Sequence, residues 1–249
     1  MKLYIAGGVY EHGRNCFYIS RDNERNVMVD CGVKVGSRDY YPILDEWQIK
    51  NTKYLFITHS HNDHCGALQW IIDRGFGGRI ISTEETKSQI GIEYPHWTTF
   101  SFNEGSDRTT IDVDDISVIS GMSGHCIGSV WYKMLVDEKL LLFTGDYCED
   151  TQSYRCSCLR DEFADMAVID NKGLVVFTGH VYPDTYAAHI MSEGKACKIS
   201  YPVHMSYNQV ADMVEKNHFG LIVMNHSQGR IKDNLNLAAK INERVVDLK

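Results

Sequence analysis

The stretch Thr58-His59-Ser60-His61-Asn62-Asp63-His64 constrains this chain more than any other. Three histidines and one aspartate fall within six positions, directly after the apolar run Tyr54-Leu55-Phe56-Ile57. Side chains alternate along an extended segment, so His59 and His61 can reach one metal ion while Asp63 and His64 turn onto a second. Neutral imidazole and carboxylate are the ligands of a catalytic Zn²⁺ that keeps a position open for water. The plain alternative is a surface histidine cluster or an affinity tag. A tag would be terminal and would lack Asp63, whereas this cluster leads into the helical pattern Ala67-Leu68-Gln69-Trp70-Ile71-Ile72. One short loop between a strand and a helix thus feeds two sites.

His59-x-His61-x-Asp63-His64 resembles the HxHxDH signature of the metallo-β-lactamase-fold hydrolases. Three further stretches are similar to that family in the right order: Asn26-Val27-Met28-Val29-Asp30-Cys31-Gly32 to its strand ending in Asp-x-Gly, Met122-Ser123-Gly124-His125-Cys126-Ile127-Gly128-Ser129 to its second histidine loop, and Phe143-Thr144-Gly145-Asp146-Tyr147 to the loop carrying its bridging aspartate. The resemblance implies an α/β fold, the four-layered αββα metallo-β-lactamase sandwich. It also implies a dinuclear site in which His59, His61 and His125 hold the first metal, Asp63, His64 and His226 the second, and Asp146 bridges. Two divalent ions are expected as cofactors, Zn²⁺ first, with Mn²⁺ or Fe²⁺ as alternatives. A metal-activated hydroxide is then the nucleophile, and no protein nucleophile is needed. Asp30 reads as a buried carboxylate orienting a ligand histidine, or as a plain strand-terminating aspartate.

The second half resembles the closing section of the β-CASP nucleases, the branch containing ribonuclease J and the mRNA 3′-end endonucleases. The stretches that carry this are Val175-Val176-Phe177-Thr178-Gly179-His180, Tyr201-Pro202-Val203-His204-Met205-Ser206 and Val223-Met224-Asn225-His226-Ser227. Asp170, His204 and His226 match, in order, an acidic residue after the bridging aspartate, a histidine before a helix and a histidine ending a late strand. With Asp63, His204 and Asp170 complete the catalytic candidates: His204 as general acid or as a structural histidine after Pro202, Asp170 as its orienting carboxylate or as a turn aspartate. In that branch a cap domain is inserted after the acidic residue. Here only Asn171-Lys172-Gly173 separate Asp170 from Leu174, so residues 1–249 read as one metallo-β-lactamase-like domain with no inserted β-CASP cap.

Composition bounds the partners. Net charge is −8, which argues against a long basic groove of the kind that neutralises many phosphates. It does not exclude a nuclease, because bound metal ions are large local positive charges. No run approaches the roughly 18 apolar residues of a membrane span, and Met1 to Gly8 lack the layout of a signal peptide. Eight dispersed cysteines without a Cys-x-x-Cys pair fit reduced thiols and a cytoplasmic location. Cys156-x-Cys158 reads as two ordinary thiols, or as a redox or metal clip.

Strands dominate the first two thirds, and helices and strands alternate later. A brief helix is expected over Pro42–Trp47, a loop-bearing hairpin rimming the site over 91–110, and a last helix over Leu235–Val245. The aromatic segment Tyr94–Phe102 is the candidate interface with a partner chain or with a second copy in a homo-oligomer. The leading function is a phosphodiesterase acting as a nuclease on RNA or single-stranded DNA. The alternatives are a small-molecule hydrolase of a nucleotide, cyclic dinucleotide or ester, and a non-catalytic regulatory protein of the same fold.

Overall fold

Parallel strands need crossover helices, whereas antiparallel strands need only turns, and the chain uses both connections in one sheet. Strands β1 (Lys2–Gly7), β2 (Cys16–Ser20) and β3 (Asn26–Val29) pair antiparallel. Helix α1 (Glu46–Lys50) then leads into β4 (Thr52–Phe56), which lies parallel to β3. Beyond it come the single turn α2 (Asn62–Cys65), α3 (Leu68–Ile72), β5 (Arg79–Thr83), α4 (Glu84–Ile90) and β6 (Trp97–Phe100), with β4, β5 and β6 all parallel. All four residues of β3 are buried, as a strand covered on both faces requires. The computed structural model describes residues 1–9, 11, 13–22, 25–160, 162–170, 205, 207–225 and 245–247.

The second sheet begins as a meander of β7 (Arg108–Val113), β8 (Ile116–Met122), β9 (Val130–Val136) and β10 (Lys139–Phe143). It continues with β11 (Phe163–Asp170) parallel to β10, and β12 (His218–Asn225) parallel to β11, with helix α5 (Tyr207–Lys216) between them. The last strand, β13 (Val245–Asp247), returns to the first sheet beside β1. The resulting orders are β13-β1-β2-β3-β4-β5-β6 and β12-β11-β10-β9-β8-β7.

Three apolar clusters show the layering. The largest joins Leu3, Phe17, Val27, Tyr54 and Ile81 of the first sheet to Val118, Tyr132, Leu141, Met166 and Val223 of the second. A second packs Ile49, Leu68 and Ile71 of the helices on the outer face of the first sheet, and a third packs Val210 and Met213 of α5 on the outer face of the second. That is the αββα sandwich. At one end of the interface Arg21, with 2% of its side chain exposed, bonds Asp115 at 2.7 Å and Asp137 at 2.6 Å, tying β2 to two turns of the opposite sheet.

Two expectations change. Helix α1 starts later than Pro42, because Asp45 and Gln48 form a capping box that sets its first turn. Residues 91–110 are not a hairpin: β6 pairs with β5 in one sheet and β7 with β8 in the other. Trp97, within the aromatic segment offered as an interface, is 9% exposed and donates to Ser82 Oγ at 2.9 Å, so it belongs to the core. Val245 opens a strand, and the remainder of the expected last helix lies outside the described residues. Among the described residues no helix is long and apolar enough to cross a membrane.

Candidate metal centre

A one-turn helix cannot stabilise itself, so α2 must be held from outside. His61, in extended conformation, is its N-cap residue. Its carbonyls are taken by two neighbouring loops: Val33 N donates to Asn62 O at 2.9 Å, Cys31 N to His64 O at 2.7 Å, and Asn15 donates twice to Asp63 O, from N at 2.8 Å and from Nδ2 at 2.9 Å. The loops approach so closely that a Cβ on Gly32 would lie 1.7 Å from Asp63 O. The starts and ends of β2 and β3 thereby fix the turn that presents Asp63 and His64.

Two more loops meet this one. Val130 N donates to Thr58 O at 3.0 Å, tying the start of β9 to the metal loop, and Gly128 O accepts from Thr83 Oγ1 at 2.8 Å. Gly145 turns at φ 54° against Thr58, where a Cβ would come within 2.8 Å of the threonine Cβ. His125 and Asp146 therefore reach the mouth of the sandwich on anchored loops.

The donor atoms converge in two groups, His59, His61, His125 and Asp146, and Asp63, His64 and Asp146. In the first, His61 Nδ1 lies 3.1 Å from His59 Nε2 and 2.9 Å from His125 Nε2, while Asp146 Oδ2 lies 3.4 Å from His125 Nε2 and 3.7 Å from His59 Nε2. Tetrahedral Zn²⁺ with bonds of about 2.0–2.1 Å separates its ligands by about 3.3 Å, and these separations bracket that value. In the second, His64 Nε2 lies 3.0 Å from Asp146 Oδ1 and 3.9 Å from Asp63 Oδ2. Asp146 offers one oxygen to each group. His59, His64, His125 and Asp146 are buried, Asp63 is half-buried, and His61 is exposed, so the first group opens to solvent.

The electrostatics separate the two groups. Burial, reinforced by the neighbouring His64 imidazole, holds His59 well below the usual histidine range against the pull of Asp146. Burial opposes charge on His64 too, yet Asp146, Asp30 and Asp63 outweigh it and raise His64 well above that range. Carboxylates that favour a proton at this point favour a divalent cation for the same reason. Asp30, at a left-handed φ of 59°, accepts from His64 Nδ1 at 2.7 Å and from Thr58 N at 2.8 Å. With Nδ1 committed to a carboxylate, Nε2 of His64 is the nitrogen that faces Asp146 and Asp63, with Asn15 Nδ2 2.9 Å away, and it is the atom that would take a cation in place of its proton. Burial pushes the adjoining Cys65 and Cys126 thiols up to about 12 and about 11, so neither offers a thiolate at neutral pH.

Asp170 ends β11, with its backbone in register with Asn225 of β12. His204 and His226 lie outside the described residues. Sequence reasoning missed Asn15 and Thr58. Asn15 acts on a carbonyl 48 positions away, which no local pattern announces, and Thr58 stood inside the motif without a part in it.

A family model of the metallo-beta-lactamase superfamily matches residues 9–156. The chain belongs to the metallo-β-lactamase superfamily. Its curated relatives include the "Probable RNase MJ4" of Methanocaldococcus jannaschii, 38% identical over 215 residues that cover 76% of this chain and 49% of that protein. Endoribonuclease ysh1 of Aspergillus fumigatus is 27% identical over 177 residues, covering 60% of this chain and 20% of that one. This metallo-β-lactamase chain thus spans about half of the first relative and a fifth of the second. These relatives agree with the likeness to β-CASP nucleases read from Asp170, His204 and His226. Among solved structures, human tRNase Z, short form, superposes over 100% of both chains with a TM-score of 0.60 at 12% identity, a likeness of fold. Superfamily membership and the two donor groups together make this a divalent-metal site.

Proposed function

We propose that this chain is a metal-dependent phosphodiesterase that cleaves RNA. The observation that carries the reading is Asp146, whose two carboxylate oxygens serve two separate donor groups. The names of the ribonuclease relatives support the substrate class. His59, His61 and His125 would hold one ion and Asp63, His64 and His226 the other, with a carboxylate oxygen of Asp146 available to each group. Backbone register favours His226 in this set: β12 ends at Asn225 beside Asp170, parallel to β10, which leads to Asp146.

Zn²⁺ suits the nitrogen and carboxylate donors, with Mn²⁺ and Fe²⁺ as the competing ions. When bound, two such ions supply water activation at neutral pH and stabilise the charge that builds on a phosphate oxygen. The chain's own residues do the rest. Asp30 orients His64, His204 protonates the departing alkoxide, and Asp170 orients His204. Residues 1–249 act as one domain, and a second copy or partner chain supplies what the cap supplies elsewhere in the branch. Single-stranded DNA is the second candidate polymer. The seven cysteines among the described residues are free, which fits a reducing cytoplasm.

A small-molecule hydrolase is the second reading, favoured by the three residues that stand between Asp170 and Leu174 in place of a cap. The test compares the protein with its Asp63→Ala/His64→Ala variant, with Zn²⁺ or Mn²⁺ supplied, on labelled single-stranded RNA, single-stranded DNA and bis-p-nitrophenyl phosphate. Polymer cleavage lost in the variant is the expected result. Turnover of the small diester alone would transfer the protein to the second reading.

A further inference from the structure

We infer that the Thr58 hydroxyl is a relay through which Asp30, which orients the His64 ring directly, also fixes the ring tautomer of His59, so that one carboxylate positions a donor in each metal group. The inference rests on the metal-binding reading of those groups. Thr58 Oγ1 lies 2.9 Å from Asp30 Oδ2, 3.1 Å from Asp30 Oδ1 and 3.1 Å from His59 Nδ1. All three residues are 2% exposed or less, so water does not substitute for these bonds.

An ionised carboxylate only accepts, and a hydroxyl has one proton. Facing Asp30, Thr58 must donate to it, which leaves the hydroxyl oxygen as an acceptor toward His59. His59 Nδ1 must then carry the ring proton. Its Nε2 is bare and points at His61 Nδ1, 3.1 Å away, within the first donor group. His64 Nδ1 donates straight to Asp30 Oδ2 at 2.7 Å, closer than Thr58 Oγ1 at 3.3 Å, so its ring is held without the relay. Thr58 N donates to Asp30 Oδ1 at 2.8 Å whatever side chain stands at 58, so the carboxylate keeps its place when the hydroxyl is removed. Thr58 is thus a positioning residue for His59 and, at 3.3 Å from an Nδ1 that Asp30 already holds at 2.7 Å, a secondary one for His64.

Groups that orient metal-bound histidines are typically worth 10–100-fold in metal affinity. Thr58→Val removes the hydroxyl at nearly constant shape, and Thr58→Ser restores it. The experiment measures ring ¹⁵N tautomers by long-range ¹H–¹⁵N spectra of the metal-free protein, and Zn²⁺ affinity by chelator competition. The relay predicts that His59 loses its pure Nδ1–H tautomer in Thr58→Val while the His64 ring signals stay as in the wild type. One Zn²⁺ site weakens 10–100-fold, the other weakens less, and Thr58→Ser matches the wild type in both measurements. An unchanged His59 tautomer in Thr58→Val, equal weakening of both sites, or a failure of Thr58→Ser to restore the wild-type values would overturn it. If Thr58→Val does not fold, Thr58→Ala answers the same questions without a methyl group pressed toward Gly145. A wild-type protein that takes up no Zn²⁺ defeats the metal-binding reading itself, and the tautomer spectra still decide the relay.

Discussion

Replacing Gly32 with alanine is the smallest covalent change that reaches the metal centre. Gly32 is not held at positive φ, so its need for glycine is purely spatial. The added Cβ would sit 1.7 Å from Asp63 O, 2.1 Å from Asp63 C and 2.7 Å from His64 N, and Cβ contacts below 3.0 Å do not occur. The obstacle is backbone on every side, so the α2 turn must retreat by about 1.3 Å, the difference between 3.0 and 1.7. A retreat of that size breaks the paired donation of Asn15 to Asp63 O and moves Asp63 and His64 together. Metal ligands tolerate displacements of about 0.2 Å, and a 1 Å error in a catalytic constellation costs on the order of 100-fold in rate. Overpacking adds about 1–3 kcal/mol of destabilisation, at about 2–4 °C of Tm for each kcal/mol in a chain of this size. The assay is bis-p-nitrophenyl phosphate turnover alongside metal content and a melting curve. The expected result is loss of about one metal equivalent, turnover reduced about 100-fold, and Tm lowered by several degrees. Gly77→Ala is the control, since a Cβ there meets nothing within 4 Å and no positive φ is involved. Gly32→Ala with wild-type metal content and turnover within a factor of about three would refute the clamping of α2 by the β2 and β3 loops.

Arg21→Met should cost about 1–3 kcal/mol in urea unfolding, below the usual cost of breaking a buried pair, because Asp115 and Asp137 are 35% and 33% exposed and can rehydrate. Arg21 holds Asp115 at about 2 against an ordinary 3.8. The stability tied to that pair is therefore complete above pH 3.8 and lost as pH falls toward 2; unfolding measured across that window should lose this slope in Arg21→Met. Trp97→Ala should destabilise by about 3–5 kcal/mol in the same assay and leave the elution volume in size-exclusion chromatography unchanged. A shift in oligomeric state without loss of stability would return Trp97 to the surface. Chelation should abolish turnover, and adding Zn²⁺ back at about 100 times its Kd should raise stability by about 2.7 kcal/mol, read as a higher Tm.

The metal loop was legible because its donors are contiguous and its flanking elements differ in kind: an apolar strand before, a helical pattern after. Asp30 was legible as an orienting carboxylate for a related reason, since a strand followed by Asp-x-Gly is a local pattern, and the bond to His64 Nδ1 gives it that role. What holds the loop was not legible. Asn15 and Gly32 act through backbone atoms of residues far along the chain, and period-two alternation carries no information about which strand lies beside which. The same blindness produced the hairpin expected over 91–110. Two short strands in succession look alike whether they pair with each other or, as β6 and β7 do, belong to opposite sheets. The displaced start of α1 had a readable signal in Asp45-x-x-Gln48, which Pro42 obscured.

The pairing of Lys2 with Asp247 and of Tyr4 with Val245 has a consequence for how the molecule comes into being. The first sheet carries the metal loop, and its strand β1 stays open on one side until residue 247 has been made. Loop-closure entropy for a contact across nearly the whole sequence must be met before that edge is covered. The strands flanking the first donor group, β2 to β5 and β8 to β10, involve residues 16–143 alone. A nascent chain can therefore form the strands around its first donor group before the open edge of β1 is covered by β13, and until then that edge is a site for mispairing.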